Sequence, residues 1–287
     1  MKQWHPQQTP ALILLVMAFI LGGVLPRPTQ AQAAEPIYTI GIVPQFESRK
    51  IRRIWQPIVN YLKKETGYQF RIKGSPTIGE FEQEVFRGEF DFAYMNPLHL
   101  VIGNKKVGYR PMLRDIDKEL KGVLVVKKES GIRHVSELAG QPVAFPSPHA
   151  LGASILIRQA LEDIFKIKVV PVYAKTHDSV YLNVLLGATV AGGGVQQTLS
   201  RQPIERKDAL RVLYTTVGVP SHPLAVLPTV PADVAHAVQA AMLHLGEFPQ
   251  GRALLEHIPM KKIGVTDLKT YQSLTQMGLD RFYQGVL

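Results

Sequence analysis

The sequence predicts an α/β protein of two lobes, with a hinge and a ligand cleft between them. Three observations predict it. Buried-strand patterns alternate with amphipathic helical patterns along the chain, the alternation restarts past the middle, and two passages near residues 120 and 217 join the halves. Strand–helix alternation signals a parallel-type sheet covered by helices. Two such units joined twice place a cleft between the lobes, at a hinge.

The chain has 287 residues, 46% apolar and 20% charged, a globular composition with length for two ordinary domains. It has no cysteine, which excludes disulfides, thiolate metal sites, cysteine nucleophiles and a lipid-anchored N-terminal cysteine. The formal net charge of +10 suits an anionic partner. The densest basic cluster is Arg49, Lys50, Arg52 and Arg53; with no long basic run and no interleaved aromatics, it reads as a solvated helix face, and no nucleic-acid partner is expected.

The N-terminus reads as an export signal. Lys2 precedes an apolar run at residues 11–24 (ALILLVMAFILGGV), followed by Ala31-Gln32-Ala33-Ala34. The run is shorter than the roughly 20 residues of a membrane-spanning helix. Cleavage after Ala33 fits the A-x-A pattern best, with Ala31 and an uncleaved anchor as alternatives, so the signal peptide is residues 1–33 and the destination the periplasm.

Residues 37–43 (IYTIGIV) read as a buried strand. Ile51, Ile54, Trp55, Ile58, Val59 and Leu62 recur at helical spacing, and Gly67 ends that helix. A strand at 70–72, a helix at 77–87, a strand at 90–94, a helix opening at Asn96-Pro97 and a strand at 109–113 complete the first unit. After a strand at 121–128 and a helical turn at 135–138, the rhythm restarts with strand 143–145, helix 151–165, strand 168–173, helix 177–186 and strand 189–191. A helix begins near Val195, and strand 210–216 returns. Past Pro231 only helices are read, at 232–245, 249–256 and 266–277. Lobe 1 is expected over residues 34–120 plus 218–287, and lobe 2 over 121–217.

Three strand-to-helix turns are candidate anion sites, because the first N–H groups of a helix lack intrahelical partners. In Asp91-Phe92-Ala93-Tyr94-Met95-Asn96-Pro97, Tyr94 and Asn96 supply neutral donors; an ordinary capped turn is the plainer reading. In Phe145-Pro146-Ser147-Pro148-His149-Ala150, Ser147 and His149 can donate beside a helix start at Ala150. In Thr176-His177-Asp178-Ser179, His177 is either a cap neighbour or a cleft donor, and Asp178 suits the positive helix end. Consecutive His-Asp-Ser residues on a helix point different ways, so no catalytic triad is read there. Gly192-Gly193-Gly194 lacks the spacing of a nucleotide loop and reads as a tight turn. The nine histidines form no metal motif, so no metal and no cofactor are expected.

In order along the chain, IGIVPQFESRKIRRIWQPIVNYLKKETGYQF, GEFDFAYMNPL, LAGQPVAFPSPHALGASILIRQAL, KTHDSVYLNVLLG and VAGGGV resemble the periplasmic phosphate/phosphite/phosphonate-binding proteins of ABC transporters. The resemblance implies a two-lobed type II periplasmic-binding-protein fold. It implies an oxyanion held at helix N-termini by hydroxyls, backbone N–H groups and a histidine, with Tyr94 in the first-lobe turn and His177 as that histidine. Asp178 falls where aminophosphonate binders carry a carboxylate. The family's Ser/Thr cluster falls on Ala150, Leu151 and Gly152, which offer backbone donors only, and the acidic residue expected near Ala191 is absent.

The expected protein is therefore a non-enzymatic, monomeric solute-binding protein. It captures a small anion and delivers it to a membrane permease. The competing reading is an exported ligand-sensing module for a membrane receptor or sensor kinase. An exported hydrolase lacks a nucleophile–base–orienter set.

Overall fold

The structure, a computed structural model, describes residues 1–3 and 36–283; the candidate signal peptide lies almost wholly outside the described residues. Among the described residues, no helix is long and apolar enough to cross a membrane.

The chain runs β1 (Ile37–Ile42), α1 (Ser48–Thr66), β2 (Gln69–Lys73), α2 (Ile78–Phe86), β3 (Phe92–Tyr94), α3 (Pro97–Val107), β4 (Arg110–Asp115), β5 (Glu119–Leu120) and β6 (Gly122–Lys127). It continues through β7 (Pro142–Phe145), a π-helical turn at Leu151–Ile155 leading into α4 (Leu156–Asp163), β8 (Val170–Tyr173), α5 (His177–Leu185), β9 (Ala191–Val195), α6 (Gln196–Ser200), α7 (Ile204–Asp208) and β10 (Leu210–Thr215). The last elements are β11 (Val219–Pro220), β12 (Pro223–Val226), α8 (Ala232–Leu245), α9 (Pro249–His257), β13 (Ile263–Val265) and 3-10 segments at Leu268–Gln276 and Leu279–Phe282.

The strands form two mixed sheets of one plan, with orders β13-β4-β12-β3-β1-β2 and β10-β6-β9-β7-β8. In each, three parallel strands (β2-β1-β3 and β8-β7-β9) adjoin an antiparallel strand, β12 or β6. A short ribbon, β5 against β11, pairs Leu120 with Val219 where the chain passes between the sheets. This is the two-lobed α/β architecture.

The sequence pattern explains the packing. Helix α1 buries Ile51, Trp55, Ile58, Val59 and Leu62, one apolar stripe at helical spacing. Strand β6 is buried on both faces. Leu124 and Val126 join Val143, Phe145 and Ile157, while Val123 and Val125 join Tyr181 and Val184 on the opposite side, as strand alternation requires.

Three expectations are corrected. Gly192-Gly193-Gly194 is not a turn but the middle of β9, paired with β6 and β7. A Cβ on Gly193 would collide with the Ala153 carbonyl and the Phe145 ring, so these glycines let helices lie directly on the strand. The C-terminal region is not wholly helical, since β13 pairs antiparallel with β4. The first sheet, expected to be of parallel type, is mixed: β12, absent from the expected elements, inserts between β3 and β4 and runs antiparallel to both.

Candidate functional site

A small cavity lies where elements of the two sheets meet. Val43, Gln45, Ile78, Asn96 and His222 line it from the first; Ala150, Leu151, Gly152, Ala153, His177 and Val195 line it from the second. Its volume is about 20 Å³. So small a space suits a small ligand rather than an ester carrying a large group.

Each polar group there is placed by local structure. Asn96 caps α3, its Oδ1 accepting from the N–H groups of Leu98 and His99 at 2.9 Å each, with Pro97 at the first helical position. Its Nδ2 is thereby a donor, and lies 2.9 Å from His99 Nε2. Residues Leu151–Ala153 open the second-sheet helix, where Ser154 N–H is already bonded to the Ala150 carbonyl at 2.8 Å. The N–H groups before it have no carbonyl one turn back and are available to an anion. On Gly152 a Cβ would stand 2.7 Å from Val195 Cγ1, so close packing of helix on strand demands glycine there.

His177 opens α5, capped by Thr176, whose Oγ1 accepts from Ser179 N–H at 3.2 Å. The His177 N–H donates to the Gln45 carbonyl at 3.3 Å, a backbone bond between the two halves of the site. The ring Nδ1 lies 3.1 Å from Thr198 Oγ1. That hydroxyl has one proton and lies 2.9 Å from the Val195 carbonyl and 2.8 Å from the Tyr181 hydroxyl. It also accepts from the Val195 N–H at 3.4 Å, and this network holds the His177 ring in place through Nδ1.

Burial holds the His177 imidazole down at about 4, against the opposing pull of Asp178. His222 is lower still, at about 3, through burial and then repulsion from His99 and His177. Both rings are neutral at neutral pH, and the lining contains no Lys or Arg. The site therefore offers amide, imidazole and backbone groups, not a salt bridge.

The other expected site residues stand around this cavity rather than in its wall. Tyr94 is buried behind it, its ring stacked on His222 with centroids 5.5 Å apart and packed on Trp55, and burial raises its hydroxyl pKa well above the usual range. Ser147 Oγ accepts from His149 N–H at 3.4 Å. His149 turns to Glu82, with Nδ1 3.0 Å from Oε1, and does not line the cavity. Asp178 lies 3.3 Å from Lys50 Nζ and accepts from Gln202 Nε2 at 2.7 Å, so both its oxygens are engaged. Ser179 completes the α5 cap.

The sequence reading did not reach Gln45, Ile78 or His222. His222 had one signal, a histidine set in an apolar, proline-flanked stretch (GVPSHPLAV) just past the second passage between lobes.

The model of the ABC-transporter phosphonate periplasmic substrate-binding proteins matches residues 40–271, most of the chain. The chain belongs to this family. A curated relative, the phosphate-import protein PhnD of Mycolicibacterium smegmatis, is 20% identical over 215 residues, covering 69% of this chain and 67% of the relative. Among solved structures, the binding-protein component of a Pseudomonas aeruginosa ABC phosphonate transporter superposes with a TM-score of 0.78 at 14% identity, covering 87% of this chain and 88% of that one. PhnD1 from Prochlorococcus marinus, solved with methylphosphonate, gives 0.77 at 15% identity, covering 85% and 98%. At these identities the structural likeness establishes the type II two-lobed fold, and the family match establishes a substrate-binding transport protein of the periplasm.

Proposed function

We propose that this phosphonate-family binding protein captures a small tetrahedral oxyanion, of the phosphate, phosphite or small-phosphonate class, and delivers it to the permease of an ABC importer. One observation carries the reading: a small cavity where Asn96, His177, His222 and the helix-start N–H groups of Leu151–Ala153 converge with no cationic side chain among the described residues that line it. Neutral hydrogen bonds and helix N-termini hold such an anion while excluding bulky or zwitterionic ligands. With Asp178 engaged by Lys50 and Gln202, no free carboxylate of that turn awaits a ligand ammonium.

His177, held through Nδ1 by Thr198, presents a neutral ring to that anion. Lobe 1 is residues 34–120 with 218–287, lobe 2 is 121–217, and the β5–β11 ribbon is the hinge between them. The protein works as a monomer in the periplasm after loss of residues 1–33, and performs no chemistry on its ligand.

The test is a thermal-shift panel of phosphate, phosphite, methylphosphonate, aminoethylphosphonate and sulfate, at several pH values. A ligand at a hundredfold excess over Kd adds about 2.7 kcal/mol of stability. The expected result is a shift with a small phosphorus oxyanion and none with aminoethylphosphonate. Loss of the shift in His177→Ala but not in Ser147→Ala places the ligand in this cavity. A shift that His177→Ala leaves untouched refutes the site.

A further inference from the structure

A buried carboxylate that neither the sequence reading nor the cavity includes lies beside the site. Glu82, on α2, is 1% exposed. It is one helical turn from Ile78, so the same face of α2 meets the cavity at Ile78 and a cluster of polar groups at Glu82. Glu82 Oε1 is 3.0 Å from His149 Nδ1, and Oε2 accepts from the Tyr283 hydroxyl at 2.6 Å. His99 Nε2 lies 3.3 Å from Oε2 and 2.9 Å from Asn96 Nδ2, so a single ring nitrogen stands between the carboxylate and a cavity side chain.

The His149 contact joins the two halves of the site. His149 immediately precedes Ala150–Ala153, the segment that brings backbone N–H groups to the cavity. Its ring is stacked on Tyr283, with centroids 4.2 Å apart and planes 18° apart. The same turn is tied to its own helix by Arg158, whose Nη2 donates to the Pro148 carbonyl at 2.6 Å and Nε to Ser154 Oγ at 3.2 Å. The C-terminal segment that carries Tyr283 is held to α4 as well, through Arg281 to Asp163 at 2.7 Å and the Gln159 amide to the Met277 carbonyl at 2.8 Å. Position of the turn, and hence of its N–H donors, is therefore set against α2 through Glu82.

We propose that Glu82 is a positioning residue for ligand capture: it latches the His149 turn of the second sheet onto the first and so holds the cavity closed over its anion. A buried carboxylate requires hydrogen-bond partners. In the closed form the protein supplies them from the His149 turn and the C-terminal segment together. Parting of the lobes withdraws His149 and leaves that oxygen to water. Glu82 thus favours closure without touching the ligand, and its effect falls on release rather than on encounter.

The proposal rests on the cavity being the ligand site, and the experiment separates the two. The probes are inorganic phosphate and phosphite. The chain has no cysteine, so Glu65→Cys with Glu205→Cys, both exposed and one beside each sheet, allows a spin-label distance across the cleft. Glu82→Gln and His149→Gln are each expected to raise koff by about 10- to 100-fold, the factor for a lost hydrogen bond to a charged group, with kon within about twofold. The label distance is expected to move toward longer values. The double variant is expected to be no worse than either single one, because both remove one contact. A purely structural role would lower kon or stability and leave the label distance unchanged. Unchanged koff, or losses that multiply in the double variant, overturns the latch. Should neither anion bind the unsubstituted protein, the cavity reading fails, and the ligand-free label distance still decides: the same distance with and without Glu82→Gln overturns the latch, a longer one supports it. Should Glu82→Gln not fold, His149→Gln, at a partly exposed position, carries the same readouts.

Discussion

Replacing Asn96 by alanine tests how one residue serves both fold and site. Asn96 is 3% exposed and its side chain makes three hydrogen bonds, two cap bonds to Leu98 and His99 N–H and one to the His99 ring, all 2.9 Å. Loss of an N-cap costs about 0.5–2 kcal/mol. Loss of the ring bond adds about 0.5–1.5 kcal/mol, a net rather than an orphaned value. The reason is that His99 Nε2, once released by Asn96, can carry the proton and donate to Glu82 Oε2, 3.3 Å away. Asn96→Ala should therefore lose about 1–3 kcal/mol in urea denaturation, with an unchanged m-value. Asn96→Ser keeps the cap and loses only the ring bond, so it should fall about midway. Ligand affinity should drop in both variants, since both remove the amide donor from the cavity. A serine variant as unstable as the alanine one would show that the cap bonds contribute nothing, and wild-type stability in both would refute the accounting altogether.

Two further outcomes follow from burial and packing. His177 and His222 have folded values near 4 and 3, below the ordinary histidine value of 6.5, so the unfolded chain binds more protons; stability is full above that value and falls as pH drops from about 6.5 toward 3. Glu82 adds a second window: burial pushes its carboxyl up, but the His149, His99 and Tyr283 side chains against it pull it down to about 2, so its contribution falls between about 4.5 and 2. Urea titrations across pH should show both windows, with the upper one reduced in His177→Asn; a flat profile from pH 7 to 4 would contradict neutral buried imidazoles. Gly193→Ala should destabilise by about 1–3 kcal/mol through forced displacement of the Ala153 carbonyl, measured by thermal unfolding; an unchanged Tm would mean that helix and strand are not in contact there.

Much of the architecture was legible because it is local. The stripe from Ile51 to Leu62 and the helix start at Asn96-Pro97 are written in residues a few positions apart. The continuous apolar strand over 122–127 also announces a sheet covered on both faces. The glycine run misled because Gly has low strand propensity, and only contact with Ala153, Phe145 and Tyr181 shows why a side chain is forbidden there.

Within the site, the order of the strand-to-helix turns at Asn96, Ala150 and Thr176 could be read from the chain. Which way a side chain turns could not. His149 and His177 look alike as histidines beside helix starts, yet one reaches Glu82 and the other lines the cavity. The sequence by itself determined the family, the alternation of elements and the placement of helix starts, because caps, periodicity and glycine stops act over a few residues. Only the tertiary structure decided that β12 returns to the first sheet, that His222 joins the cavity, and that Asp178 and His149 face protein partners. The contacts behind those outcomes join groups between 24 and 177 residues apart, whose juxtaposition is set by sheet order and burial rather than by any local preference.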